Sequence, residues 1–269
     1  MSASSKFLGL CVVAATVAVS AGTAYSDNNH SKKLPVYLMR TLSAPAQDAG
    51  SPGNMWAGSG LKATNFILQE NLPEGVELAI KAHYRQGNDI LPTYIDGKGR
   101  IHVNVPAGLQ VVDPAHGVPV ANAARAAWNF AYSVNTALPD ARPSLDNYEG
   151  ELWIDLDPST KTDYLKLKLT KLGPPAALPS QVNGYGWKFG STTVIGDDEG
   201  TSRVTQNSQN IIFYAALIDT NKPAPGIQPY TLGPAEFDVK LILREKKGKH
   251  GKSGDEVARL HVVFNVVAP

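Results

Sequence analysis

Residues 164–172 read Tyr-Leu-Lys-Leu-Lys-Leu-Thr-Lys-Leu, and this period of two decides the fold class. Successive side chains of an extended chain point to opposite faces, so Leu165, Leu167 and Leu169 line one side and Lys166, Lys168 and Thr170 the other. The same alternation recurs in both directions along the chain. Upstream, residues 148–156 set Leu152, Ile154 and Leu156 against Trp153, and residues 126–136 put Trp128, Phe130, Tyr132 and Val134 on one face. Residues 76–84 alternate Val76, Leu78, Ile80 and Ala82 with Glu77, Lys81 and His83, which reads as a half-buried strand with its polar side in water. Downstream, Phe237, Val239, Leu241 and Leu243 alternate with Asp238 and Lys240, and residues 259–267 place His261 opposite Leu260 and Val262. Asp96-Gly97-Lys98-Gly99 signals a tight turn into a strand at 101–105. Residues 65–69 and the nearly all-apolar run 210–218 add two more strands, the second read as central.

Glycine and proline punctuate the gaps, and helix is limited to a turn or two at 119–125. Many short strands joined by turns predict an all-β, antiparallel β-sandwich of jelly-roll or Greek-key type, in one domain over residues 61–269. No repeat of 20–50 residues suggests a propeller or solenoid. Residues 27–60 are polar and read as a partly mobile arm, with an early strand only at 34–39.

The N-terminus sets the expected compartment. Lys6 precedes the apolar run 7–19, and Ala24-Tyr25-Ser26 supplies the small residues of a cleavage site, so residues 1–26 read as a secretory signal peptide. The run is short of the ~20 residues a membrane crossing needs. Leu10 stands before Cys11 where lipoprotein processing would want a small residue. Removing residues 1–26 from the 269 leaves 243; losing Lys6 takes the 25 basic residues to 24, against 24 acidic. Such a balance argues against a nucleic-acid partner. The only cysteine, Cys11, leaves with the signal, so packing and strand pairing alone hold the expected mature chain. A secreted chain without cysteine suits a bacterial periplasm or exterior. No second run is long enough for a transmembrane anchor.

Candidate chemistry is sparse. Asp155, Asp157 and Asp163 bracket a Pro-Ser-Thr turn and read either as oxygen ligands for Ca²⁺ or as a strand-end turn with solvated carboxylates. An EF-hand loop is excluded, because Thr160 and Lys166 occupy the Gly and Glu positions. Asp197-Asp198-Glu199-Gly200 forms a second acidic loop, read as an ordinary turn, a contributor to a Ca²⁺ site or a glycosidase carboxylate pair. The six histidines stand singly, without the spacing of a zinc motif. Between two strands, Lys246, Lys247, Lys249 and Lys252 make a basic loop, read as a contact for anionic polysaccharide or lipid headgroups, or as a guard on strand edges. Trp56, Trp153 and Trp187 are candidates for stacking on sugar, with Trp187 the most exposed by its glycine-rich setting, while Trp128 belongs to the core.

Several segments carry a resemblance. Thr64-Asn65-Phe66, Gly75-Val76-Glu77-Leu78, Trp128-Asn129-Phe130 with Tyr132-Ser133-Val134-Asn135-Thr136, the Leu152 to Pro158 run and Gln206-Asn207-Ser208-Gln209-Asn210 together resemble a group of uncharacterised bacterial exported β-sandwich proteins that often carry a PEP-CTERM sorting tag. This chain ends without that tag. The resemblance implies secretion and an all-β fold, and carries no catalytic residue. The expected function is a non-enzymatic envelope or extracellular-matrix protein binding polysaccharide or surface proteins. The alternative is a carbohydrate-active hydrolase or lyase using Asp155, Asp157, Asp197 or Asp198.

Overall fold

A computed structural model of the chain describes residues 34–44, 46–47, 53–55, 61–84, 88–109, 126–138, 144–155, 157, 161–171, 187–189, 199–200, 203–211, 235–246 and 254–267. The expected signal peptide and the turn at 119–125 lie outside these residues. In chain order the strands are β1 Val36–Arg40, β2 Phe66–Asn71, β3 Val76–Tyr84, β4 Asp89–Ile90, β5 Tyr94–Ile95, β6 Ile101–Pro106, β7 Trp128–Asn135, β8 Tyr148–Asp155, β9 Tyr164–Lys171, β10 Trp187–Phe189, β11 Glu199–Gly200, β12 Val204–Asn210, β13 Ala235–Glu245 and β14 Glu256–Val267. Two one-turn 3₁₀ helices, Leu72–Glu74 and Leu145–Asn147, accompany the strands.

The strands form two seven-stranded sheets. The first runs β1-β2-β3-β7-β12-β11, with β4 also on β3; the second runs β10-β9-β8-β13-β14-β6-β5. Every pairing is antiparallel except β14 on β6. The protein is therefore all-β, built from two sheets rich in antiparallel pairs. Taken in chain order, the described strands change sheet five times, after β4, β6, β7, β10 and β12.

One apolar core joins the sheets. Val76, Leu78, Ile80 and Ala82 of β3 and Trp128, Phe130, Tyr132 and Val134 of β7 share it with Val103, Leu152, Ile154, Leu241 and Phe264 of the second sheet. Phe264 meets Trp128 at 5.1 Å between ring centroids and Phe130 edge-on at 5.9 Å. The period-two residues read from the sequence are thus the ones that face inward. Burying each large apolar side chain is worth about 1.5–3 kcal/mol, so this layer supplies the main drive to fold.

A second buried cluster corrects the half-buried reading of the strand at 76–84. Leu42, Ala46, Met55 and Ala63 pack onto Phe66, Leu68, Ala79, Ala131 and Val204, on the side of the first sheet away from the main core. The described part of 27–60 therefore does more than supply one early strand: it covers that sheet. As a result β3 is buried on both faces, not half-buried, and Glu77 and Lys81 are 0 % and 1 % exposed. The cover is bound by polar bonds as well. Ser43 N–H donates to Glu77, Gln206 donates to the Ala46 carbonyl at 2.7 Å, and Lys81 Nζ donates to the carbonyls of Lys62 and Thr64 at 2.6 and 3.1 Å and to Asp89 at 2.9 Å. Burial pushes the Glu77 carboxyl up, against the opposing hydrogen bonds from Ser43, and pushes the Lys81 ammonium down, against Asp89.

Of the expected central strand at 210–218, only Asn210 and Ile211 are described. The strand here is the polar β12, which ends at Asn210, and 212–218 lie outside the described residues.

Candidate functional site

The outer face of the second sheet gathers most of the remaining chemistry-bearing side chains. Pairing register places them in two adjacent cross-strand rows. In one row Lys166, Trp153, Lys240 and His261 stand opposite one another across β9, β8, β13 and β14. The next row holds Tyr164 opposite Asp155, then Asp238, Val263, His102 and Tyr94 paired in sequence. All are outward because the alternate residues of the same strands fill the core.

Each row is built by local rules. The turn between β5 and β6 closes through Gly99 N–H to the Asp96 carbonyl at 2.9 Å, with Gly99 at φ +80°, where a side chain would be strained. Asp96 Oδ1 accepts the N–H groups of Lys98 and Arg100, both at 2.9 Å, while Oδ2 accepts from Arg100 Nε at 2.7 Å and lies 3.2 Å from His102 Nε2. Burial alone would raise the Asp96 carboxyl, but the Arg100, His102 and Lys98 bonds outweigh it and hold it well below the usual range. His102 stacks flat on Tyr94, with centroids 4.3 Å apart.

At the centre lies Asp238, 7 % exposed. Its Oδ2 accepts the Tyr164 hydroxyl at 3.0 Å. His261 Nε2 lies 3.3 Å from the same oxygen, off the line of a hydrogen bond, and Arg100 reaches within 3.8 Å of Oδ1. Burial pushes this carboxyl up, and His261, Tyr164 and Arg100 together bring it below its ordinary value. Asp155, 2 % exposed, goes the other way: burial raises it, and the N–H groups of Asp163 and Asp157 only partly oppose that. Burial and the Asp238 charge push the Tyr164 hydroxyl up, so it stays a proton donor.

Above these groups stand aromatic rings and lysines. Trp153 and Tyr164 lie side by side, 5.4 Å between centroids. Lys166 Nζ sits 3.9 Å from the Trp153 ring centroid, and Lys240 Nζ sits 4.4 Å from that of Tyr164. Lys166, Lys168 and Thr170 are exposed and Trp153, Tyr164 and Lys240 half-buried. This arrangement sets stacking surface and positive charge beside two buried carboxylates. No family model, curated protein or solved structure matches this chain.

The residues singled out from the sequence fall differently. Asp155 Oδ1 accepts the N–H groups of Asp157 and Asp163 at 3.1 and 2.8 Å, which ties together the ends of the turn between β8 and β9. Among the described residues no group of three or more His, Cys, Asp or Glu side chains is disposed to hold a metal ion. Lys246 is exposed beyond the far end of β13, roughly 27 Å along the strand from Asp238. Lys247, Lys249, Lys252, Asp197, Asp198 and Trp56 lie outside the described residues. Trp187 opens the edge strand β10, paired with Lys171. Among the described residues no helix is long and apolar enough to cross a membrane.

Sequence reasoning placed Trp153, Lys166, Asp238, Lys240 and His261 on outward faces but could not join them. The missed members, Asp96, Arg100, His102 and Tyr164, carried one signal, the turn at 96–99. Register brings the rest together.

Proposed function

We propose that this is a secreted, non-enzymatic β-sandwich of jelly-roll or Greek-key type, akin to the bacterial exported β-proteins it resembles. It serves in the envelope or extracellular matrix and binds polysaccharide through the outer face of its second sheet. The observation that carries this reading is the Trp153–Tyr164 pair, set beside Lys166 and Lys240 on a face where Lys166 and Lys168 are exposed. Aromatic rings present flat apolar surface to sugar rings, and the polar side chains around them meet hydroxyl groups. The expected signal peptide and the absence of cysteine from the expected mature chain support the compartment.

A glycan array probed with Ca²⁺ and again with EDTA tests this reading. Binding that survives EDTA and is lost in Trp153→Ala is the expected result. A blank array in both buffers overturns it.

One observation favours a second reading, a carbohydrate-active hydrolase or lyase. Asp155 and Asp238 share a face and are pushed in opposite directions, as an acid and base pair would be. Release of new chain ends from a polysaccharide, abolished in Asp238→Asn, would replace the binding reading with this one.

A further inference from the structure

Strand β12 of the first sheet is closed to solvent along most of its length. Val204, Thr205, Gln206, Asn207 and Asn210 are buried, and of the β12 side chains described only Ser208 is half-buried. Ser208 Oγ lies 2.8 Å from Nε2 of His83 on β3. Register explains how two side chains meet across the strand between them. Ser208 pairs with Ala131 of β7, and His83 pairs with Asn129, the neighbouring outward residue of that strand. The short methyl of Ala131 leaves the imidazole room to reach over β7 to the hydroxyl.

The partners of the ring fix its tautomer. His83 Nδ1 lies 2.8 Å from the Tyr84 carbonyl, which can only accept, so Nδ1 carries the proton. In the neutral ring Nε2 is then an acceptor, and the Ser208 O–H donates to it. Burial pushes the His83 imidazole below its ordinary value; the Tyr84 carbonyl opposes this, Lys81 adds to it and Asp89 opposes it. A nucleophilic serine needs this arrangement, a hydroxyl bonded to a neutral imidazole whose other nitrogen is held by a fixed acceptor. Opposite His83, half-buried Asn129 has its Oδ1 taken by Asn210 Nδ2 at 3.0 Å, which leaves its own Nδ2 as a donor.

We infer that Ser208 is a nucleophile, with His83 as its general base, that takes an acyl group from a carboxylic ester. Ser208 Oγ bonds to the ester carbonyl carbon while its proton passes to His83 Nε2. Asn129 Nδ2 donates to the carbonyl oxygen as it gains charge. The bond from that carbon to the alcohol oxygen then breaks, and the proton on Nε2 goes to the departing oxygen. The products are an O-acyl serine, a free alcohol and a neutral imidazole. The inference goes beyond the binding reading, since it concerns the other sheet and neither needs the other.

The full chain, expressed so that any N-terminal processing takes place, is tested with two probes. The first is diisopropyl fluorophosphate, which stays on an activated serine; peptide mass mapping locates it. The expected result is modification of Ser208 in the native chain and none when the chain is unfolded in urea. His83→Gln should slow that modification at least about 100-fold. Should this variant melt below wild type, the comparison of native and urea-unfolded wild type decides alone. The second probe is p-nitrophenyl acetate. The native chain should release p-nitrophenolate, and prior treatment with the fluorophosphate should remove most of that release. An unmodified Ser208 in the native chain, or equally fast modification in urea, overturns the inference. So does equally fast modification in a His83→Gln variant that melts like wild type. Release of p-nitrophenolate untouched by the fluorophosphate also overturns it, because lysines and other histidines then account for the ester cleavage.

Discussion

Lys81 on β3 and Lys166 on β9 occupy equivalent places. Each alternates with inward apolar residues and points away from the core between the sheets. Yet Lys81 is 1 % exposed, held by two carbonyls and Asp89, whereas Lys166 is exposed and rests on Trp153. The difference lies in what comes to rest on each sheet. The stretch carrying Leu42, Ala46, Met55 and Ala63 crosses the outer side of the first sheet and supplies backbone groups that satisfy its polar residues. On the second sheet the charged groups satisfy one another laterally, and exposed lysines remain. A polar strand face is therefore not a surface until the rest of the chain has been placed.

The largest expected effect is on Lys81. Lys81→Ala takes the buried ammonium away from two carbonyls and from Asp89, which keeps only its bond from Asn65, and should cost about 3–5 kcal/mol in urea denaturation. A loss no larger than that of an exposed lysine would break the comparison. Next, Leu42→Ala should cost about 2–4 kcal/mol by opening a cavity beneath the cover. A wild-type midpoint in that variant would mean that the cover contributes nothing to the cooperative fold.

Glu77→Gln tests the buried acid. Because folding raises its pKa above 4.5, the carboxyl's stabilising contribution is present below that value and lost as pH rises through its folded pKa. Relative to wild type, the glutamine variant should gain stability as pH increases; a difference that stays flat from about pH 4 to 8 would refute this. Asp96 has the opposite sign. Its folded pKa is depressed, so its contribution is present above 3.8 and fades as pH falls. Asp96→Asn should cost about 1 kcal/mol near neutrality and progressively less in acid, read from melting curves. Smallest of all, Lys166→Ala should change stability by less than about 1 kcal/mol, since it forfeits only an exposed cation–π contact.

How much was legible follows the same division. Strands β3, β7, β9, β13 and β14 could be read because one face of each is apolar at every second residue. The polar β12, Val-Thr-Gln-Asn-Ser-Gln-Asn, could not. Its outward Gln206 is buried and bonded to Ser133, and its half-buried Ser208 is bonded to His83, contacts that leave no mark in hydropathy. The cover over the first sheet was equally hidden, because Ser43 and Ala46 dock it through backbone groups that any residue possesses. The candidate site was half visible. Trp153, Lys166 and Lys240 show their outward phase, but only the pairing of β9, β8 and β13 sets them in line.

The order of strands in the second sheet has a consequence in time. β13 and β14, the latest strands in the chain, occupy the middle of that sheet, between β8 and β6. Until they arrive, the β8-β9-β10 and β5-β6 blocks have nothing to join them, and half of the main core stays open. Pairing over such sequence separations is slow. A chain delivered N-terminus first therefore stays pliable until its last hairpin emerges. For a protein that we propose is exported, this strand order places closure of the second sheet after passage of the β13–β14 hairpin, the last of the described strands.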